Sequence, residues 1–185
     1  MIDPYATGVL QEEHHERLVA DLEGFAKDAG ILPQWIYTRL PKEISGAELE
    51  YLKNFRKLGG QPAGLCYVGE AKSVQIEQRM AAITGALVRN FIRARMMTLG
   101  TFVDASAGHV AADLSCVLIP NFFLTSIDAG MIAKWQLSAI YDTLVERQMH
   151  GKQTILYVKD LDLLGKEYGL GFQRLIEDFY LRVKV

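Results

Sequence analysis

The stretch Cys66-Tyr67-Val68-Gly69-Glu70-Ala71-Lys72-Ser73-Val74-Gln75-Ile76-Glu77 has the outline of a phosphate-binding turn. An apolar run ends at Gly69 and a long helical pattern follows, the order that aims backbone N–H groups and a helix N-terminus at an anion. A phosphate loop of the form G-x-x-x-x-G-K-[ST] needs glycines so that successive N–H groups can surround the phosphates. It also needs a lysine to neutralise the outer charge and a hydroxyl to ligate Mg²⁺. Read without gaps from Gly69, the second glycine is Val74, the lysine is Gln75 and the hydroxyl residue is Ile76. Valine resists a positive φ, glutamine carries no charge and isoleucine binds no metal. Two readings of the neighbouring Lys72-Ser73 remain. Either they are the lysine and hydroxyl of a loop shortened by three residues, or they are an exposed pair at a helix start with Ser73 as its N-cap.

Other chemistry-bearing residues are sparser. His14 and His15 stand among Glu12, Glu13 and Glu16, but adjacent helical residues point to different sides, which favours a solvated polar face over a metal site. His109 and His150 are isolated, and no cysteine lies near either to form a nucleophilic pair. Cys66 and Cys116 sit inside apolar runs and read as buried free thiols. The segment Arg89-Asn90-Phe91-Ile92-Arg93-Ala94-Arg95 interleaves three arginines with apolar residues. If a helix runs through it, Arg89 and Arg93 share a face, so Arg89, Arg93 and Arg95 are candidates for a weak contact to single-stranded DNA. The plainer reading is a basic helix end that complements the helix dipole.

The elements that must hold these residues follow from the hydrophobic pattern. A helix is expected over residues 11–29, with Leu18, Leu22 and Phe25 on its apolar face and Gly30 closing it. A proline-containing connector precedes a helix over 46–58. Residues 64–69 read as a short buried strand, 74–93 as a long helix, 94–100 as a strand followed by a short helix, and 113–124 as a buried central strand. The spacing predicts a helix over 130–150, with Trp135, Ile140, Leu144 and Val145 as its stripe. It also predicts a strand over 153–159, a short helix, and a last helix running into a closing strand. Strands alternating with helices imply an α/β fold, a parallel sheet with helices on both faces.

The 185-residue chain is 50% hydrophobic and 23% charged, as for one globular core. Its formal charge of −2 supplies no basic field for sequence-independent nucleic-acid binding. No basic-then-apolar leader and no membrane-length apolar run are read, so the cytoplasm is the expected location and no membrane partner is expected.

In order and spacing, the pieces "GLCYVG", "AAITGALV", "RMMTLGTFVD", "AADLSCVLI", "IYDTLVERQMHGKQTI" and "FQRLIED" resemble the AAA+ ATPase core of bacterial replicative helicase loaders, the DnaC/DnaI/IstB group. The resemblance runs from about Ile31 to Tyr180. It implies a three-layer, P-loop-like core over residues 31–185, with residues 1–30 as a short helical extension packed on the core or on a partner.

The resemblance also implies where the chemistry should lie, and this sequence departs there. Gly69 is kept, while Val74, Gln75 and Ile76 replace the phosphate-binding residues. The acidic pair that would hold Mg²⁺ after the apolar strand is replaced by Pro120 and Asn121, and no Asp or Glu occurs from Leu114 to Ile127. The polar residue that senses the terminal phosphate is replaced by Lys159, followed by Asp160. Arg174 survives at the position resembling the family's subunit-junction arginine, or else pairs with Glu177 or Asp178 on its own helix. Three departures together imply a fold kept without its reaction, a pocket filled by Val74, Gln75 and Ile76, and no cofactor. The implied role is an inactive adaptor or regulator in DNA replication, with a helicase, helicase loader or related ATPase as partner. Self-association is a further expectation, since this fold builds rings or filaments. Two alternatives are a divergent loader binding ATP and Mg²⁺ through Lys72 and Ser73, and a single-stranded DNA-binding accessory.

Overall fold

The computed structural model describes residues 3–107, 113–125 and 132–185. Five strands, β1 (Gly64–Val68), β2 (Ala94–Met96), β3 (Cys116–Phe123), β4 (Gln153–Val158) and β5 (Tyr180–Lys184), form one sheet in the order β2-β3-β4-β1-β5. Every pairing is parallel. Among the described residues the α-helices are α1 (Glu12–Ala20), α2 (Leu22–Ala29), α3 (Gln34–Tyr37), α4 (Gly46–Lys53), α5 (Ser73–Arg89), α6 (Leu99–Ala107), α7 (Lys134–Met149), α8 (Leu161–Glu167) and α9 (Leu170–Phe179). No described helix is long and apolar enough to cross a membrane.

The strand order decides which face each helix covers. From β1 the chain crosses to the far edge at β2, then returns through β3 and β4 and passes β1 to reach β5. Right-handed crossovers in opposite directions put their helices on opposite faces. Helix α5 therefore covers one face, and α6 to α9 cover the other. The buried side chains sort accordingly. Ile76, Met80, Ile83 and Leu87 of α5 pack with Leu65, Tyr67, Leu118, Ile155 and Tyr157. Phe102, Ile140, Leu144, Phe172 and Ile176 pack with Cys66, Val117, Ile119, Leu156 and Val158. Alternate residues of each strand thus serve alternate faces, as a doubly covered sheet requires.

A third cluster joins the N-terminal helices to this core: Leu18, Ala26 and Ala29 share buried contacts with Ile36 of α3 and Val88 of α5. The single helix expected over 11–29 is two helices. Asp21 leaves helical geometry at φ −130°, ψ 46°, and its carboxylate accepts from the Gly24 N–H to start α2, the local competition that makes aspartate a cap. Gly30 closes α2 in the left-handed region at φ 67°. Helix α5 ends at Arg89 because Asn90 caps it and Phe91 follows at φ 56°, so Arg93 lies beyond the helix rather than on a face with Arg89. Trp135 is 73% exposed while Ile140 and Leu144 are buried. A five-residue step turns about 140° off the stripe, which is why Trp135 leaves it. Strand β3 is one position in from the sheet edge, and β4 is the central strand. Cys66 and Cys116 are buried and free.

On the α5 face, a fully buried carboxylate ties α4 to the sheet. Ser45 and Glu48 form a capping box at the start of α4. The Glu48 carboxylate also accepts from the Tyr67 hydroxyl and from both Nε and Nη2 of Arg79, while the Arg79 guanidinium lies 5.1 Å from the Tyr67 ring centroid. Burial alone would raise the Glu48 pKa, but hydrogen bonds from Arg79, Tyr67 and Ser45 outweigh it and hold the group below its ordinary 4.5. The stabilisation is complete above pH 4.5 and lost as pH falls through the lowered folded value. Denaturant titrations from pH 7 to pH 3 should therefore show wild type losing stability faster than Glu48→Gln below pH 4.5. A gap that stays constant would remove the carboxylate from the acid transition.

Glycine placement gives a second test. Alanine in place of a mid-helix glycine usually stabilises by about 1 kcal/mol. A Cβ at Gly85 of α5 would run into the Trp35 carbonyl of α3, whereas at Gly171 of α9 the nearest atom is Tyr141 Cε2 at 3.5 Å. Urea unfolding should show Gly85→Ala destabilised by about 1–3 kcal/mol, the cost of overpacking, and Gly171→Ala neutral or stabilised.

Candidate functional site

Gly69 closes β1 at φ 134°, and its N–H donates to the Val158 carbonyl. A Cβ there would collide with the Val185 carbonyl, so the position suits glycine alone. Only Gly69, Glu70, Ala71 and Lys72 separate β1 from α5. Lys72 occupies the N-cap position with extended backbone and no side-chain cap bond, and Ser73 is the first helical residue. Ser73 is therefore not the N-cap that its residue type suggests.

The three residues standing for glycine, lysine and hydroxyl do not meet in the loop. Val74 is 60% exposed and Ile76 is buried at 2% under the sheet. Gln75 is exposed, with its N–H donating to the Lys72 carbonyl. What fills the turn comes from β4. The Tyr157 hydroxyl donates to the Gly69 carbonyl at 2.9 Å and accepts from the Ala71 N–H at 3.2 Å. One phenol oxygen thus takes a loop amide that an anion would otherwise use.

Beside this plug lies an open cleft of about 570 Å³, bounded by Glu70, Lys72, Ser73, Thr125, Tyr157 and Lys159 among others. The expectation of a pocket filled by Val74, Gln75 and Ile76 is thereby corrected: Tyr157 floors the site and the space above stays open. The Lys159 ammonium, at the end of β4, lies 3.2 Å from the Glu70 carboxylate, with both side chains substantially exposed. Such a pair contributes about 0–1 kcal/mol. It sets a negative group on the loop where a phosphate would need positive charge.

Pro120 and Asn121 have structural work. Pairing of β3 with β4 runs to Ile119↔Leu156 and resumes at Phe123↔Val158, so three residues of β3 oppose one of β4. Proline, with no N–H to give the ladder, suits such a bulge. The Asn121 Oδ1 accepts from the Leu99 N–H at 2.8 Å, capping the start of α6. The bulge also lets consecutive Phe122 and Phe123 enter the same core, where both stack edgewise or tilted with Tyr168 or Phe172.

The arginines separate. Arg89 donates to the Ile36 and Thr38 carbonyls at 3.2 and 2.9 Å, and its burial lowers its pKa. It clamps α3 to α5 and lines a different hollow from Arg93 and Arg95. Arg93 is exposed beyond the helix, and Arg95 lies half-buried on β2. Arg174 is exposed on α9, and neither Glu177 nor Asp178 forms an ion pair with it among the described residues.

His15 does more than solvate a helix: its Nδ1 accepts from the Gln11 N–H and its Nε2 contacts the Arg89 carbonyl at 3.0 Å, latching α1 to the end of α5. His14 is exposed, His150 Nδ1 contacts its own helix at the Glu146 carbonyl, and His109 lies outside the described residues. Among the described residues no group of three His, Cys, Asp or Glu could hold a metal. Tyr157 was missed by sequence reasoning, yet it left a signal: a hydroxyl in the middle of a wholly buried strand must find a partner.

In structure the chain is similar to a DNA replication initiation factor, at TM-score 0.59 and 12% identity over 79% of this chain and 48% of that one. It is also similar to DnaI, at TM-score 0.57 and 9% identity over 84% of this chain and 91% of that one. The chain thus spans about half the length of the first. No family model matches the sequence, and no curated protein does. At such identities the likeness shows the fold, and the fold is the α/β core that the sequence pieces resemble.

Tyr157→Phe removes the hydroxyl and leaves Gly69 O and Ala71 N–H to find water in a half-buried turn. Chemical denaturation should show a loss of about 1–2 kcal/mol, with faster amide exchange at Ala71. Unchanged exchange there would mean that the plug does not hold the loop.

Proposed function

We propose that the protein acts in DNA replication as a catalytically inactive helicase-loader homologue, an adaptor or regulator working through contacts with a helicase, a loader or a related ATPase. The single observation carrying this reading is the Tyr157 hydroxyl bonded to both Gly69 and Ala71. Phosphoryl transfer needs preorganised positive charge and a metal around the phosphates. In this loop a phenol oxygen holds the amide, Glu70 faces Lys159, and Asn121 is committed to capping α6. The fold shared with an initiation factor and with DnaI supports the replication context and a cytoplasmic setting.

The open cleft of about 570 Å³, with Lys72 and Ser73 on its wall, favours one second reading: a divergent loader that binds Mg-ATP without the usual loop. A thermal melt separates the two. A ligand at about 100 times its dissociation constant adds about 2.7 kcal/mol, a shift of several degrees for a chain of this size. The expected result is an unchanged midpoint with millimolar Mg-ATP or Mg-ADP, together with recovery of a helicase or loader by co-purification from the native host. An upward shift abolished by Lys72→Ala would replace the adaptor with the divergent loader.

A further inference from the structure

At the opposite pole of the sheet from the Gly69 loop, a cavity of about 600 Å³ opens between α2, the end of α5 and the edge strand β2. The residues that give it chemistry are Phe25, Asp28, Phe91, Arg93, Arg95 and Asp113. Its volume falls in the range of about 300–1,000 Å³ typical of small-molecule sites.

Three features set this cavity apart from an ordinary surface groove. First, the Arg95 Nε is shielded from solvent and is the one buried side-chain nitrogen or oxygen lacking a hydrogen-bond partner among the described residues. A donor left unmet in this way is costly, and the half-buried Arg95 side chain as a whole lines the cavity. Second, no ion pair joins Arg93 or Arg95 to Asp28 or Asp113 among the described residues. Two cations and two anions line one space without satisfying one another. Third, Phe91 is held at φ 56°, a region that bulky residues avoid, and its ring stays 54% exposed. It stacks on His15 with centroids 5.9 Å apart and planes 12° from parallel. That geometry ends α5, with the Phe91 N–H donating to the Val88 carbonyl and the Ile92 N–H to the Leu87 carbonyl, and it sets a flat aromatic ring at the cavity wall.

From this we infer a binding site for a nucleoside monophosphate whose base is rich in N–H donors, guanine above all. The arginines supply charge-assisted donors for a phosphate. The aromatic walls supply stacking surface for a base. The two carboxylates, which would repel a simple aromatic acid, become acceptors for the ring N–H and amino groups of guanine. The inference is independent of the Gly69 loop and stands whether or not that loop binds anything.

The experiment is equilibrium dialysis of the full chain with radiolabelled GMP, with Arg95→Ala and Asp113→Asn as variants and thermal melts to verify that each folds. Saturable GMP binding is expected, weakened at least tenfold in each variant. Guanosine and UMP should compete at least tenfold less well than GMP, the first lacking the phosphate and the second the paired base donors. Lys72→Ala should leave binding unchanged. Absence of saturable binding at millimolar GMP would overturn the site, as would binding that survives Arg95→Ala but is lost in Lys72→Ala. A guanine-containing single-stranded oligonucleotide that displaces GMP at equal concentration would overturn the free mononucleotide in favour of a nucleotide within a strand.

Discussion

Strand β4 is buried along its whole length, yet three of its six side chains carry hydrogen-bonding groups: Gln153, Thr154 and Tyr157. A polar group moved out of water costs several kcal/mol unless it is paired, so each of these must be met, and meeting them organises the molecule. Gln153 accepts from the Tyr51 hydroxyl of α4 and donates to the Pro62 carbonyl ahead of β1. Thr154 receives Arg147 Nε from α7. Tyr157 reaches the Gly69 turn. The first two ties lock the helices to the sheet at one end. The third occupies, at the other end, the place where the loop after β1 meets α5.

The buried cations are handled in two ways. Arg79 is met by a carboxylate on α4, while Arg147, at 2% exposure, donates to the carbonyls of Leu114 and Gln153 as well as to Thr154. Arg89 likewise donates to carbonyls. Desolvation lowers the pKa of both carbonyl-bound arginines, but guanidinium remains protonated throughout the physiological range. A planar fork of donors can span several backbone segments at once, which a single carboxylate partner cannot. Arg147, in the "ERQMHGKQTI" segment, thereby holds together the approach to β3, the end of α7 and the start of β4.

Much of the fold was legible because it rests on long apolar runs: "GLCYVG", "CVLIPNFF" and "QTILYV" became β1, β3 and β4. The N-terminal pattern misled because Asp21 competes locally for the backbone, and Trp135 because composition was read without its angle on the helix. At the candidate site, sequence located the departures at Val74, Gln75, Ile76, Pro120, Asn121 and Lys159. What each residue does instead was not legible. Those roles depend on contacts between distant segments: Asn121 on Leu99, Lys159 on Glu70, and Tyr157 across 88 residues on Gly69. Spacing along a chain carries no record of such meetings until the strands are paired.

Helix α9 ends at Phe179 and β5 begins at Tyr180, with no residue between them. Any change in the angle between them must be absorbed in φ and ψ at these two element-terminal residues. Ala63, just ahead of β1, donates to the Phe179 carbonyl at that junction, and β5 pairs with β1 from Tyr180 to Lys184. Arg174 lies exposed on α9, and the Val185 carbonyl presses against Gly69 at the other end. One unbroken ladder thus links the helix that carries Arg174 to the turn after β1.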